Sequence, residues 1–248
     1  MPDKLHHTKG IVLRTVKYGE TSVIVSIFTE LLGIQSYLVN GVRVSTKKGS
    51  GKANLFQPSA ILDMIVYHNE LKQLQRIKEF KWAHIYQHIL SDVKKNAVAL
   101  FLVELLTKCL KQPEANADLF HFTEDAFLSL DQASDTVTAN FPLFFALHLP
   151  VFFGFRFSDN YSENNSFLDL QEGAFVKEHP SHPHFLEDKQ AFITSQILKV
   201  QQPDELEDIK LNHDFRRQLL YQYEIYYKLQ IQDFGILRTL PVLKEILS

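Results

Sequence analysis

The sequence predicts an α+β protein, an N-terminal five-stranded barrel followed by a helical domain with a small irregular β-hairpin insert. Three observations carry this reading. Residues 1–80 are dense in Val, Ile, Thr, Phe and Tyr, with Gly10, Gly19, Gly33 and Gly41 breaking the apolar runs. Beyond Phe80 the apolar spacing changes from period two to helical period. A mixed, more polar stretch over residues 155–185 then interrupts the helical pattern.

The elements follow in order. Residues 9–15, 18–30 and 33–43 read as the first three strands, and a basic, glycine-containing loop follows up to Lys52. Pro58 suits the start of a fourth strand over 60–67, since proline lacks the N–H that a ladder needs. His68, Asn69 and Glu70 form a turn. Residues 71–80 form a fifth strand, with Leu74 and Arg76 on one face and Gln75 and Ile77 on the other. Five antiparallel strands with short turns and one long loop match a partly open Greek-key barrel, the OB-fold. Residues 94–110 are apolar nearly all round, so they predict a buried helix ending before Pro113. A second helix is expected over 119–130. A third is expected to open at Asn140-Phe141-Pro142, with Asn140 as cap and Pro142 in the first turn, and to bend or end at Pro150 before Gly154. Residues 167–176 predict a hairpin turning near Gly173. Helices resume over about 188–200, after Asn212 as a cap, and from about Leu240. The domains expected are 1–80, the barrel, and 81–248, the helical domain with its insert at about 155–185.

Composition narrows the function. The chain has 248 residues, 45% of them hydrophobic and 22% charged, as in an ordinary globular protein. A single cysteine, Cys109, lies in an apolar run and reads as a small buried hydrophobe. One cysteine excludes an intrachain disulfide framework and a multi-cysteine zinc site, and points to a reducing, cytosolic setting. No stretch has the uninterrupted apolar length of a membrane span, and residues 1–10 lack the apolar block of a signal peptide. The formal net charge of −3 hides an asymmetry: residues 1–56 net +5 and the remainder −8. A basic head on an acidic body suggests that the head meets a polyanion.

Arg43, Lys47, Lys48 and Lys52 cluster around glycines, so they can neutralise phosphates while the backbone approaches a strand closely. The same segment is no nucleotide-binding P-loop: Ala53 stands where Ser or Thr must follow the lysine. Arg14, Lys17 and Tyr18 flank the first turn, a loop that binds nucleic acid in this barrel class. Tyr18 and Tyr37 have rings that could stack on bases, with barrel packing the preferred role for Tyr37. Arg76 and Lys81 read as solvated charges. His84 and His88 stand four apart on an expected helix, and His179, His182 and His184 cluster in a proline-interrupted loop. The first pair has no third ligand nearby, and metal binding is not expected at either place, since a transition-metal site needs three or four protein ligands in matching geometry. Tyr223, Tyr226 and Tyr227 read as helix packing with Leu219 and Leu220. The alternative is a groove whose tyrosines, with Arg216 and Arg217, would suit an acidic peptide tail.

The runs Gly10-Ile-Val-Leu-Arg-Thr, Tyr18-Gly-Glu-Thr, Ile27-Phe-Thr-Glu, Asn40-Gly-Val-Arg43 and Leu55-Phe-Gln-Pro58 resemble the bacterial recombination mediator family RecO. The resemblance is motif-level over residues 9–67 and pattern-level afterwards. It implies a non-enzymatic DNA repair protein of the cytoplasm and nucleoid. Such proteins bind single- and double-stranded DNA, anneal complementary strands and contact the C-terminal tail of single-strand-binding protein. With RecR they load RecA onto coated strands. Several members carry four zinc-binding cysteines in the insert. This chain has none there, so no cofactor is expected. The rival readings are an interaction scaffold whose barrel touches no nucleic acid and a metal-dependent hydrolase built on the histidines.

The lysine cluster generates one expected outcome. Replacing Lys47, Lys48 and Lys52 together by alanine weakens binding to all DNA sequences alike. It also lowers the salt slope on single strands by about 0.7 per lost phosphate contact, read by fluorescence anisotropy.

Overall fold

The computed structural model describes residues 4–42, 53–111 and 113–247. Five strands form the N-terminal sheet: β1 (Lys4–Tyr18), β2 (Ser22–Thr29), β3 (Gly33–Val39), β4 (Ile61–His68) and β5 (Leu74–Trp82). They close in the order β1-β2-β3-β5-β4, with β4 returning to β1. The closure differs from the expected all-antiparallel, partly open sheet. β3 and β5 pair in parallel over Ser36↔Leu74, Tyr37↔Gln75 and Leu38↔Arg76. Closing the ring requires two pairings between strands that are not neighbours in sequence, the antiparallel β1–β4 ladder and this short parallel one. Inward residues fill the barrel: Val12, Val23, Val25, Ile27, Tyr37, Val39, Leu62, Met64 and Val66. Tyr37 is therefore a core residue, and burial raises its hydroxyl well above the ordinary tyrosine value.

Helices follow: α1 (Val93–Cys109), α2 (Ala117–Gln132), α3 (Asp135–His148), α4 (Asp188–Leu198), α5 (His213–Gln230) and α6 (Thr239–Ile246). Between α3 and α4 lies a three-stranded sheet of β6 (Phe167–Asp169), β7 (Ala174–Val176) and β8 (Phe185–Leu186), in the order β7-β6-β8. The hairpin turns at Gly173, whose φ of 67° is left-handed. Two compact units result. One comprises Met1–Tyr86 with Leu110–Phe127, and the other Gln87–Cys109 with Leu128–Ser248. This division differs from a cut at residue 80, because the first part of α2 belongs with the barrel.

In the barrel unit that segment covers the sheet. Phe120 of α2 packs on Phe28, 5.7 Å between ring centroids, and Lys9 Nζ donates to Glu124 Oε1 at 2.8 Å. The chain at Pro113 and Glu114 crosses over Gly33, where φ is +64° and a Cβ would stand 2.1 Å from the Pro113 carbonyl oxygen. Gly33 is thus required twice, by its dihedral and by the backbone above it.

In the helical unit α1 packs against α3 and α6, and α3 against α4 and α5. Cys109 is buried, as is most of Asp135–Phe153, which by length and mean hydropathy alone could span a membrane. That burial marks it as a core helix. α3 starts earlier than its Asn-Phe-Pro signal suggests. Ser134 Oγ accepts the Val137 N–H and caps the helix. Asn140 sits mid-helix and fully buried, where its amide donates to the carbonyls of Leu206 and Ile209 at 3.2 and 2.7 Å. Pro142 lies inside the helix. The 3-10 turn Leu149–Phe153, with Pro150 at its start, ends the run at Gly154. Asn212 caps α5 by accepting the Phe215 N–H at 2.8 Å. Glu104 of α1 caps α6 from outside it, accepting the N–H groups of Arg238 and Thr239, both at 2.8 Å.

His84 and His88 do not share a helix, since none lies between β5 and α1. Asp131 decides this. Its carboxylate accepts three consecutive N–H groups, Gln87, His88 and Ile89, at 2.8, 2.9 and 2.8 Å, which holds the segment as a turn. Burial alone would push the Asp131 carboxyl up, but the three donors more than offset it and hold it below its ordinary value.

Two outcomes follow. Gly33→Ala destabilises the protein by more than the about 1–3 kcal/mol of a left-handed non-glycine residue, because a backbone clash adds to it; urea unfolding measures the loss. Asp131→Asn costs about 1.5–3 kcal/mol at neutral pH. A carboxyl depressed in the folded state stabilises above its unfolded pKa, and that contribution is lost as pH falls. The gap between wild type and variant therefore closes below the ordinary value of 3.8, in urea titrations from pH 7 to pH 3.

Candidate nucleic-acid interface

The outer barrel face is built by one irregularity in β1. Up to Val12 the strand alternates regularly, with Gly10 and Val12 facing the interior opposite Thr29 and Ile27. The pairing then skips: Val12↔Ile27 is followed by Arg14↔Ser26, with Leu13 as the extra residue. A bulge of one residue reverses which parity faces out. Thr15 now points in, its hydroxyl donating to the Phe56 carbonyl at 2.5 Å, while Arg14, Val16 and Tyr18 are exposed. Without the bulge the same even positions would project into the core.

Register carries this face across the sheet. Val16 stands beside Ile24, Ile24 beside Leu38, Leu38 beside Arg76 and Arg76 beside Tyr67. The next row runs Arg14, Ser26, Ser36 and Leu74. Tyr18, 52% exposed, pairs with Ser22 at the open end. No carboxylate stands in these rows. The face combines cations, exposed apolar surface and small hydroxyls, which suits a phosphate backbone with bases laid against the sheet.

The structure thus brings Arg14 and Tyr18 onto one face. Lys17 pairs with Val23, on the inward parity, and is exposed at the barrel end. Arg43, Lys47, Lys48 and Lys52 lie outside the described residues. Arg76, read from the sequence as a solvated charge, joins the face through the parallel pairing with Leu38. No local sequence signal reveals that neighbour. Lys81 instead pairs with Asp63 at 3.2 Å, beside His7 at 2.5 Å from the same carboxylate.

The histidine cluster of the insert is held by hydrogen bonds. His182 Nε2 meets Asp169 Oδ2 at 3.2 Å, and its Nδ1 accepts the His184 N–H at 3.2 Å. His179 bonds the Pro180 carbonyl at 2.8 Å. Asp169 Oδ1 also accepts the Gln171 N–H at 2.7 Å, and Asn160 brackets Phe175 through both of its backbone groups. Among the described residues, no group of three or more His, Cys, Asp and Glu could hold a metal ion.

The helical unit carries a second feature. Tyr223, Tyr226 and Tyr227 are buried packing residues; Tyr226 donates to the Phe155 carbonyl and Tyr227 to that of Ala146. Tyr221 stays exposed and lines a groove with Arg216, Arg217, Leu220, Leu243 and Lys244. Arg216 is half-buried there, and burial lowers its pKa. Its guanidinium donates to the Leu211 carbonyl at 2.6 Å, and no carboxylate pairs with it among the described residues. A desolvated cation among leucines favours an anionic, partly apolar occupant.

The comparisons with known proteins agree with this architecture. Residues 1–86 match the family model "Recombination protein O N terminal", and residues 90–236 match "Recombination protein O C terminal". The chain is 33% identical over 242 residues to the DNA repair protein RecO of Christiangramia forsetii, covering 98% of this chain and 99% of that one. It is 34% identical over 244 residues to the DNA repair protein RecO of Bacteroides fragilis, covering 98% and 99%. To that of Phocaeicola vulgatus it is 31% identical over 245 residues, covering 98% and 100%.

Proposed function

The chain belongs to the RecO family of DNA repair proteins, and from that premise we propose that it is a recombination mediator without catalytic chemistry. It binds single- and double-stranded DNA on the outer barrel face and anneals complementary strands. With RecR it helps load RecA onto strands coated by single-strand-binding protein, in the cytoplasm and nucleoid.

The observation that carries this reading is the pair of acid-free rows across β1, β2, β3 and β5, where Arg14 and Arg76 flank Val16, Ile24 and Leu38. Cations there attract the backbone of any sequence, and the apolar surface accepts bases of either strand. Two complementary strands held this way keep their pairing edges free to meet. The barrel unit supplies the DNA contact and the helical unit the protein contacts. The groove at Arg216, Tyr221 and Lys244 takes the acidic C-terminal tail of single-strand-binding protein, its carboxylates meeting the cations and its apolar residues the leucines. Residues 1–56, which hold β1, β2 and β3, carry a net +5 and favour a polyanion on that side of the barrel.

Strand annealing by the full chain tests this reading, with energy transfer between labelled complementary oligonucleotides as the signal. Naked strands are compared with strands coated by single-strand-binding protein, with and without its tail. Arg14→Ala with Arg76→Ala lowers the salt slope of single-strand binding by about 1.4, about 0.7 for each lost contact. Annealing of coated strands needs the tail and falls with Lys244→Glu. Partner binding with no salt-sensitive DNA affinity would replace the mediator by an interaction scaffold.

A further inference from the structure

The parallel contact between β3 and β5 is only three residues long, and it opens onto a concavity on the outer barrel surface. The cavity is about 320 Å³, lined by Leu38, Tyr67, Lys72, Leu74, Gln75 and Arg76. Its walls are two leucines and one tyrosine ring, contributed by three strands. Among the described residues that line it, Lys72 and Arg76 are the cations and none is a carboxylate. Arg76 pairs with no acidic side chain among the described residues. A ligand that fits has a flat apolar body and an anionic group next to it.

The site is held ready by Gln75. This residue is buried inside the barrel wall, and its amide fastens the turn between β4 and β5. Nε2 donates to the carbonyls of Asn69 and Lys72 at 2.9 and 2.6 Å, and Oε1 accepts the Asn69 N–H at 3.1 Å. The Lys72 N–H closes the same turn on the Asn69 carbonyl at 2.9 Å. The turn that carries Lys72 is therefore folded before any ligand arrives. Both Gln75 amide hydrogens are committed to it, so none is left to read the edge of a base.

We propose that this cavity is a single-nucleotide subsite: one unstacked base of a single strand lies between Leu38, Leu74 and Tyr67, and its phosphate meets Arg76 and Lys72. The proposal rests on the DNA-binding reading of the barrel and adds a property that phosphate contacts alone do not have. A paired base presents only its edges in the grooves and enters a pocket only after flipping out of the stack. The subsite therefore prefers single strands to duplex, with tolerance for base identity, since shape and stacking recognise the base. In annealing it holds a strand by a base that pairing must withdraw, so duplex formation itself weakens the grip on the product.

The test uses the full chain and fluorescence anisotropy at several salt concentrations. The probes are a labelled thymidine oligomer, an abasic oligomer of equal length and the thymidine oligomer in duplex. The expected result is an affinity for the intact strand at least about fivefold above that for the abasic one, the range of base–aromatic stacking. In Tyr67→Ala that ratio falls toward one. Leu74→Glu, at a partly exposed position that spares the core, lowers it as well. Arg76→Ala weakens binding to all three probes and reduces the salt slope. Equal affinity of the wild type for intact and abasic strands would overturn the subsite while leaving the DNA-binding reading in place. So would a ratio that survives in both Tyr67→Ala and Leu74→Glu. Absence of salt-sensitive binding to every probe would overturn the DNA-binding reading itself. Saturation by free thymidine monophosphate at micromolar concentration, without preference for the strand, would reassign the cavity to a mononucleotide and also overturn the proposal.

Discussion

Leu13, the extra residue of β1, is the constraint on which the barrel face depends. β1 serves two partners, β4 along its first half and β2 along its second, and a strand that wraps around a small barrel must bend between them. The bulge provides the bend and at the same time exchanges the inward and outward parities. Gly10 and Val12 are interior while Arg14, Val16 and Tyr18 are exterior, although all five occupy even positions. Core packing and surface chemistry are thus set by one inserted residue. The strand closes the barrel and, past the bend, supplies one edge of the proposed DNA face.

The other edge comes from the parallel rungs between β3 and β5. They close the ring, and they place Arg76 beside Leu38. Gln75, between Leu74 and Arg76, turns inward and spends its amide on the β4–β5 turn. Closure, loop order and the outer cavity are therefore consequences of the same short ladder. Interior positions on these strands are mostly apolar, and the inward polar groups Gln75 and Thr15 are spent on backbone groups, which leaves the outward positions and loops for other chemistry. This is how a small barrel can carry the proposed binding face at little cost to its core.

The helical unit shows the same economy in another form. Polar side chains there are structural fasteners: Asp131 for the turn before α1, Glu104 for the start of α6, Asn140 for the carbonyls of the 203–209 turn, and Asp169 for the insert. Each of these four side chains satisfies backbone groups that helix ends and turns leave unpaired. Arg216 contrasts with these, because it bonds carbonyls while its charge stays without a carboxylate among the described residues. A cation so placed is a fastener on one side and, in the proposed function, meets the acidic tail on the other.

The sequence by itself determined the features whose causes are local. Period-two runs marked the five strands, the all-round apolar run marked α1, Asn212 marked the start of α5, and Gly173 marked the hairpin turn. Each depends on residues within a few positions, which one sequence displays directly. The opening motif from Gly10 to Arg43 pointed to the family for the same reason. Tertiary structure decided the rest. The expected antiparallel, partly open sheet became a closed barrel with a parallel rung, because β3 and β5 meet across more than thirty intervening residues. Asn140 became a buried tie instead of a helix cap, because its partners lie near residues 206–209. The two histidines left their expected helix, because Asp131, far along the chain, takes three N–H groups of that segment. Arg76 moved from an isolated charge to a member of the outer face only through Leu38. Alternation and caps are written in neighbouring residues, whereas the partner of a strand edge or a buried amide is chosen by closure of the whole fold.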